Sequence, residues 1–108
     1  MDEPKIYHII KGKLVEIKSA IFANGDTYIV EDPVNKVIWI WIGSKSTIDE
    51  KFAAAQISQN ELLKDHLNYE VKSIDEGNEP DEFLDLFGES IQFVEGDVHG
   101  MLKHHEKK

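Results

Sequence analysis

The sequence predicts an α/β protein of the α+β kind: a central mixed sheet of five to six strands held between one long helix and one short helix. Three observations carry this. Apolar, β-branched segments separated by turn signals fill the first third of the chain and recur later. They alternate irregularly with two stretches of helix formers, which suits a mixed sheet with helices on its faces. The run Val37-Ile38-Trp39-Ile40-Trp41-Ile42 is apolar on both faces, as a strand in the middle of a covered sheet is.

Each element has its own signal. Lys5–Ile10 is β-prone, with Ile6, Tyr7, Ile9 and Ile10, and Lys11-Gly12-Lys13 is a short turn. Leu14-Val15-Glu16-Ile17-Lys18 alternates, which predicts a half-buried strand. Asn24-Gly25-Asp26 is a turn, and Thr27–Val30 is a strand of β-branched and aromatic residues. Asp32-Pro33-Val34-Asn35-Lys36 turns the chain into the Trp-rich strand, where Trp39 and Trp41 share one face and belong to the core. Ser46 or Thr47, with Asp49 or Glu50 three residues on, makes a capping box for a helix from about Ile48 to Leu67, ended by Asn68. Tyr69–Ile74 is another strand and Glu76-Gly77-Asn78 a turn. Asn78 is placed to cap a second helix, with Pro80 in its first turn and Gly88 as its stop. Ile91–Val94 is a last edge strand. Residues 1–102 make one domain and Lys103–Lys108 a polar tail.

The 108 residues suit a single domain able to bury a core. With 41% hydrophobic and 31% charged residues, the chain is neither disordered nor fibrous. It has no cysteine, hence no disulfide, thiol nucleophile or zinc–thiolate site. Its formal charge of −9 repels phosphate backbones and anionic lipid, arguing against nucleic acid and membrane surfaces as partners. The apolar run Val37–Ile42 is too short to cross a bilayer and the N-terminus is acidic, so a soluble cytoplasmic protein is expected. His8, His66, His99, His104 and His105 are scattered, no serine has a patterned histidine, and no glycine-rich phosphate loop occurs; an enzyme is not expected.

Carboxylates near a turn are more suggestive. Asp26 follows Gly25 at a strand start, and Glu50 lies in the first turn of the long helix. A hard cation such as calcium takes carboxylates together with backbone carbonyls from irregular chain, and glycine lets a carbonyl turn out of a sheet. On pattern alone the metal signal is weak, since Asp after Gly is usually just a turn and an acidic residue in the first helical turn usually serves the macrodipole.

Gly25-Asp26-Thr27-Tyr28-Ile29-Val30, then Ile38-Trp39-Ile40-Trp41-Ile42-Gly43-Ser44, then Asp49-Glu50-Lys51 with Ala53-Ala54-Ala55, and finally Glu76-Gly77-Asn78-Glu79-Pro80, resemble in order and spacing a gelsolin-homology domain of the gelsolin, villin and severin family. The resemblance covers about Ile6 to Leu102. It implies the fold read above and an actin-binding module, usually under calcium control. It also implies a calcium site made by the Gly25 carbonyl, the Asp26 and Glu50 carboxylates and a carbonyl near the domain's end, matched by Val98. Two departures stand out. Where the family's second, actin-shared calcium site carries an Asp, this chain has Leu62, with Glu61 beside it. The segment matching part of the family's phosphoinositide-binding stretches, Glu89–Gly100, holds no Lys or Arg.

The long helix offers two stripes. Ile48, Phe52, Ala55, Gln59, Leu62 and Leu63 form the more apolar one, which by itself reads as the core face. If Glu50 points at the Gly25-Asp26 turn, however, Ala54, Ile57 and Glu61 go with it toward the sheet. Phe52, Gln56, Gln59, Asn60 and Leu63 then face outward, apolar anchors among amides, as a partner surface requires. The expected function is a calcium-binding module, a monomer when free, that binds monomeric actin or weakly caps filament ends and so limits assembly. The alternative is a calcium-stabilised interaction module that does not bind actin.

Overall fold

The computed structural model describes residues 3–66 and 68–96. The expected tail and the segment leading into it lie outside the described residues. β1 (Lys5–Ile10) and β2 (Lys13–Ile17) form a hairpin in which Ile10 faces Lys13. Its two-residue loop holds Lys11 and Gly12 at φ of 52° and 77°, the left-handed pair whose twist matches that of the strands. β2 is an edge strand more exposed than its alternation suggests. Leu14 and Ile17 are half-buried, and Val15 is exposed.

β4 (Thr27–Asp32) runs antiparallel between β1 and β5 (Val37–Ile42), and β6 (Glu70–Asp75) adds in parallel beside β5. The sheet order is β2-β1-β4-β5-β6, a mixed five-stranded sheet. Asp32 shapes the β4–β5 connection. Its fully buried carboxylate accepts from the Val34 and Asn35 backbone N–H groups, both at 3.0 Å, from Asn35 Nδ2 at 2.7 Å and from the Trp39 indole at 2.9 Å. A polar group taken out of water is accommodated there because both of its oxygens meet donors.

Alternation along the strands builds two cores. On one face Ile6, Tyr28, Val30, Trp39, Trp41 and Ile74 pack with Phe22 and Phe83; on the other Ile9, Ile29, Ile38 and Ile40 pack with Ala54 and Ile57. The doubly apolar run is therefore the fully covered central strand it predicts. The long helix on the second face is α1 (Ile48–Ile57), a π-helical turn (Ser58–Leu62) and α2 (Leu63–Asp65) in succession. The short helix α3 (Asp81–Asp85) contributes Phe83 to the first face.

Three expectations need correction. β3 (Ile21–Ala23) was not foreseen. It pairs in parallel with β7 (Gln92–Val94), so the last strand belongs to a separate two-stranded sheet and not to the main one. Three residues are too few for periodicity to register, and the partner is distant in sequence. Asn78 does not cap α3: the N-cap is Pro80, extended at φ −74° and ψ 160°, without a side-chain cap. Gly88, at φ 57°, opens a 3-10 turn (Gly88–Ser90) instead of stopping the helix. No helix among the described residues is long and apolar enough to cross a membrane.

Candidate functional site: the Gly25-Asp26 turn and the long helix

The turn between β3 and β4 is held on two sides and by a bond of its own. Asn24 donates its N–H to the Val94 carbonyl at 3.0 Å, and its side-chain oxygen accepts from Gly96 N–H at 2.9 Å. Gly25 N–H donates to the Gly96 carbonyl at 2.7 Å, which holds the turn to the chain following β7. On another side Gly43 N–H donates to the Asp26 carbonyl at 3.1 Å and Lys45 N–H to the Asn24 carbonyl at 2.8 Å. Within the turn, Asp26 N–H donates to the Ala23 carbonyl at 3.1 Å. Gly25 does not use the left-handed region open to glycine. The glycine that the geometry demands is Gly43, where any Cβ would run into the Asn24 and Asp26 backbone.

Asp26 is buried, with its Oδ2 accepting from the Tyr28 hydroxyl at 3.2 Å. Glu50 arrives from the helix. Thr47, the N-cap, accepts from Glu50 N–H at 3.1 Å, while Glu50 Oε1 accepts from Thr47 N–H at 3.2 Å, the reciprocal capping box foreseen in the sequence. Gly25, Asp26 and Glu50 line one pocket. The Tyr28 hydroxyl reads their electrostatics. Burial chiefly raises its pKa, against an opposing bond from Ala23 N–H, and the charges of Asp26 and Glu50 raise it further. Both carboxylates thus bear on one point.

A metal that fits this donor set is a hard one. Asp26, Asp49, Glu50, Thr47 and Gly25 bring oxygen donors to the pocket wall, which suits calcium, and Lys11 also lies on that wall. Among the described residues no cluster of three or more His, Asp or Glu occurs. The expected set has only two carboxylates and draws the rest from carbonyls. Val98 lies outside the described residues. Reading the sequence missed two contributors to the pocket wall, Asp49 and the Lys11-Gly12 hairpin loop. Nothing in their local pattern marks the loop, because only the strand order brings it to the helix start.

The helix turns Ala54 and Ile57 inward. Ala54 is fully buried and Ile57 nearly so, against Ile29, Ile38 and Ile40. Ile48 and Phe52 stand outside at 68% and 67% exposure, and Gln56, Gln59 and Asn60 are exposed beside them. The more apolar stripe is therefore not the core face at its start. Leu63, expected outward, is half-buried against the inner core, as is Leu62; Glu61, expected inward, is exposed. The π turn explains these corrections. Leu63 N–H reaches back five residues to the Ser58 carbonyl, so the turn takes in one extra residue and the inward stripe shifts from Glu61 to Leu62. At the far end, His66 Nε2 lies 3.2 Å from Glu31 Oε2, and the Tyr7 hydroxyl donates to Glu31 Oε1 at 3.3 Å, tying the helix end to the sheet.

The gelsolin repeat matches residues 8–84 of this chain. Flightless-1 of Drosophila melanogaster is 29% identical over 101 residues, 85% of this chain and 8% of that protein. The Homo sapiens flightless-1 homolog is 33% identical over 84 residues, 69% of this chain and 6% of that protein. The chain thus spans less than a tenth of the length of these relatives. Among solved structures, Thorarchaeota 2DGel3 in complex with rabbit actin superposes with a TM-score of 0.77 at 40% identity, over 89% of this chain and 48% of that one. Thorarchaeota ProGel in complex with rabbit actin superposes with a TM-score of 0.73 at 27% identity, over 79% of this chain and 99% of that one.

Proposed function

The chain belongs to the gelsolin-repeat family, and from that premise we propose that it binds actin monomers with the outward face of α1. The observation that carries the reading is the exposure of Ile48 and Phe52, one helical turn apart, on a helix whose opposite face is packed. Two large apolar side chains one turn apart, flanked by Gln56, Gln59 and Asn60, make an anchor with a polar margin. Two relatives of this fold are solved in complex with actin. Leu63 supports the face from within and is not an anchor. A calcium ion at Gly25, Asp26 and Glu50 would neutralise two converging carboxylates and tie the helix start to the sheet margin. Asp26 and Glu50 would supply carboxylate oxygens and Gly25 its carbonyl. A single module of this kind offers one actin site, which suits monomer binding or weak capping; severing takes linked modules gripping neighbouring subunits. Its setting is the cytoskeleton.

An assembly assay with pyrene-labelled actin tests this. Excess chain is expected to reduce assembly without fragmenting filaments. Phe52→Ala is expected to weaken the effect about 30-fold, the loss of an anchor worth ~2 kcal/mol, while the thermal midpoint stays put because the ring is exposed. An assembly curve unchanged by excess wild-type chain overturns actin binding. If calorimetry then still finds calcium binding, the chain is a calcium-stabilised module for another partner. Inhibition of assembly that persists in chelator keeps the actin reading and removes calcium control.

A further inference from the structure

We propose that the Tyr28 hydroxyl is the positioning group of the cation site, holding the Asp26 carboxylate in the pocket it shares with Glu50. The inference rests on the calcium reading above and deepens it. Asp26 is the residue just before β4 and Tyr28 the second residue of that strand, so the Tyr28 hydroxyl bonds back to the turn that carries the carboxylate. The Tyr28 ring is fully buried and wedged. It meets Phe22 edge-on at 5.1 Å and 76°, Trp41 at 5.8 Å and 62°, and stacks on His8 at 5.9 Å. The hydroxyl therefore has one place to be.

The direction of its proton follows from its two partners. Ala23 N–H donates to the hydroxyl oxygen at 3.1 Å. The hydroxyl in turn donates its only proton to Asp26 Oδ2 at 3.2 Å. Asp26 N–H closes the loop by donating to the Ala23 carbonyl at 3.1 Å. Backbone and side chain of Asp26 are thus both referred to Ala23, one directly and one through Tyr28. A partner of this kind orients the ligating group without touching the ion, and its removal typically weakens metal binding 10–100-fold.

Calcium titrations by calorimetry on the full chain, with wild type, Tyr28→Phe, Asp26→Asn and Phe22→Leu, test the proposal. Tyr28→Phe keeps the ring and loses the hydroxyl. It is expected to weaken calcium binding about 10-fold or more. Phe22→Leu loosens the same aromatic cluster but leaves the hydroxyl, and is expected to keep wild-type affinity. A spectroscopic readout needs no destabilised variant. Calcium drawing on the Asp26 charge weakens its bond to Tyr28, so a near-ultraviolet tyrosine difference band is expected to grow with the heat of binding. It should persist in Tyr7→Phe and Tyr69→Phe and vanish in Tyr28→Phe. If wild type binds calcium, Asp26→Asn does not and Tyr28→Phe binds like wild type, the positioning role is overturned and the site stands. Equal losses in Tyr28→Phe and Phe22→Leu also overturn it, since general loosening then accounts for both. A wild-type chain that binds no calcium overturns the site itself.

Discussion

Gly43→Ala isolates the close approach on which the turn depends. A Cβ at residue 43 would lie 2.6 Å from the Asn24 carbonyl carbon and 2.7 Å from the Asp26 carbonyl oxygen, with the Asn24 oxygen nearer still. Ordinary contact begins near 3.4 Å, so the backbone on one side has to retreat by about 0.7 Å or more. Backbone gives way less easily than a side-chain tip, and overpacking of this kind costs ~1–3 kcal/mol. Retreat also stretches the bonds Gly43 N–H to the Asp26 carbonyl and Lys45 N–H to the Asn24 carbonyl, each worth ~1 kcal/mol. The stiffer unfolded chain of the alanine variant offsets up to ~1 kcal/mol. The net expectation is ~2–3 kcal/mol of lost stability, a fall of roughly 10–20 °C in Tm for a domain this size. Asp26 moves with the turn, so calcium binding by calorimetry should weaken too. Ser44→Ala, at the exposed neighbour, serves as the control and should leave both readouts unchanged. A Gly43→Ala chain that melts with wild type and binds calcium equally would refute the reasoning from close approach.

Other perturbations probe the same architecture. Asp26→Asn and Glu50→Gln should each weaken calcium binding in calorimetry; unchanged affinity in both would place the ion elsewhere. Thr47→Ala removes the capping box and should cost ~1 kcal/mol in urea unfolding, with no loss expected if Glu50 holds the helix start by itself. The Tyr7 hydroxyl is pushed up to about 12, first by burial and then by the charge of Glu31, its hydrogen bond to Glu31 and the charge of Glu16. Folding thus favours its protonated form. That contribution is complete below the ordinary phenol value near 10 and is lost as pH rises toward 12. Urea midpoints should fall across this window in wild type and fall less in Tyr7→Phe; parallel curves would dissociate Tyr7 from the alkaline loss.

Much of the fold was legible because its signals are local. The β5 run from Val37 to Ile42 carries its own bounds, and the β1–β2 turn and the Thr47–Glu50 capping box are written within four residues each. The Gly25-Asp26 and Glu50 placements came from a motif pattern and not from periodicity. Asn78 misled because the cap position went to Pro80, two residues later. β3 and β7 were hidden or misplaced because their pairing joins short segments far apart in the chain.

The sequence by itself determined which residues alternate, where the central strand runs, and how the long helix begins, since neighbours a few positions apart decide those features. Only the tertiary structure decided which way that helix faces. Its more apolar stripe starts outside, with Ile48 and Phe52 in solvent, while Ala54 and Ile57 pack against Ile29, Ile38 and Ile40 of the sheet. The π turn at Ser58–Leu62 then rotates the leucines back inward, to Leu62 and Leu63. No period read along one segment contains that switch, because a change of helical phase is set by what the surface across from it can receive.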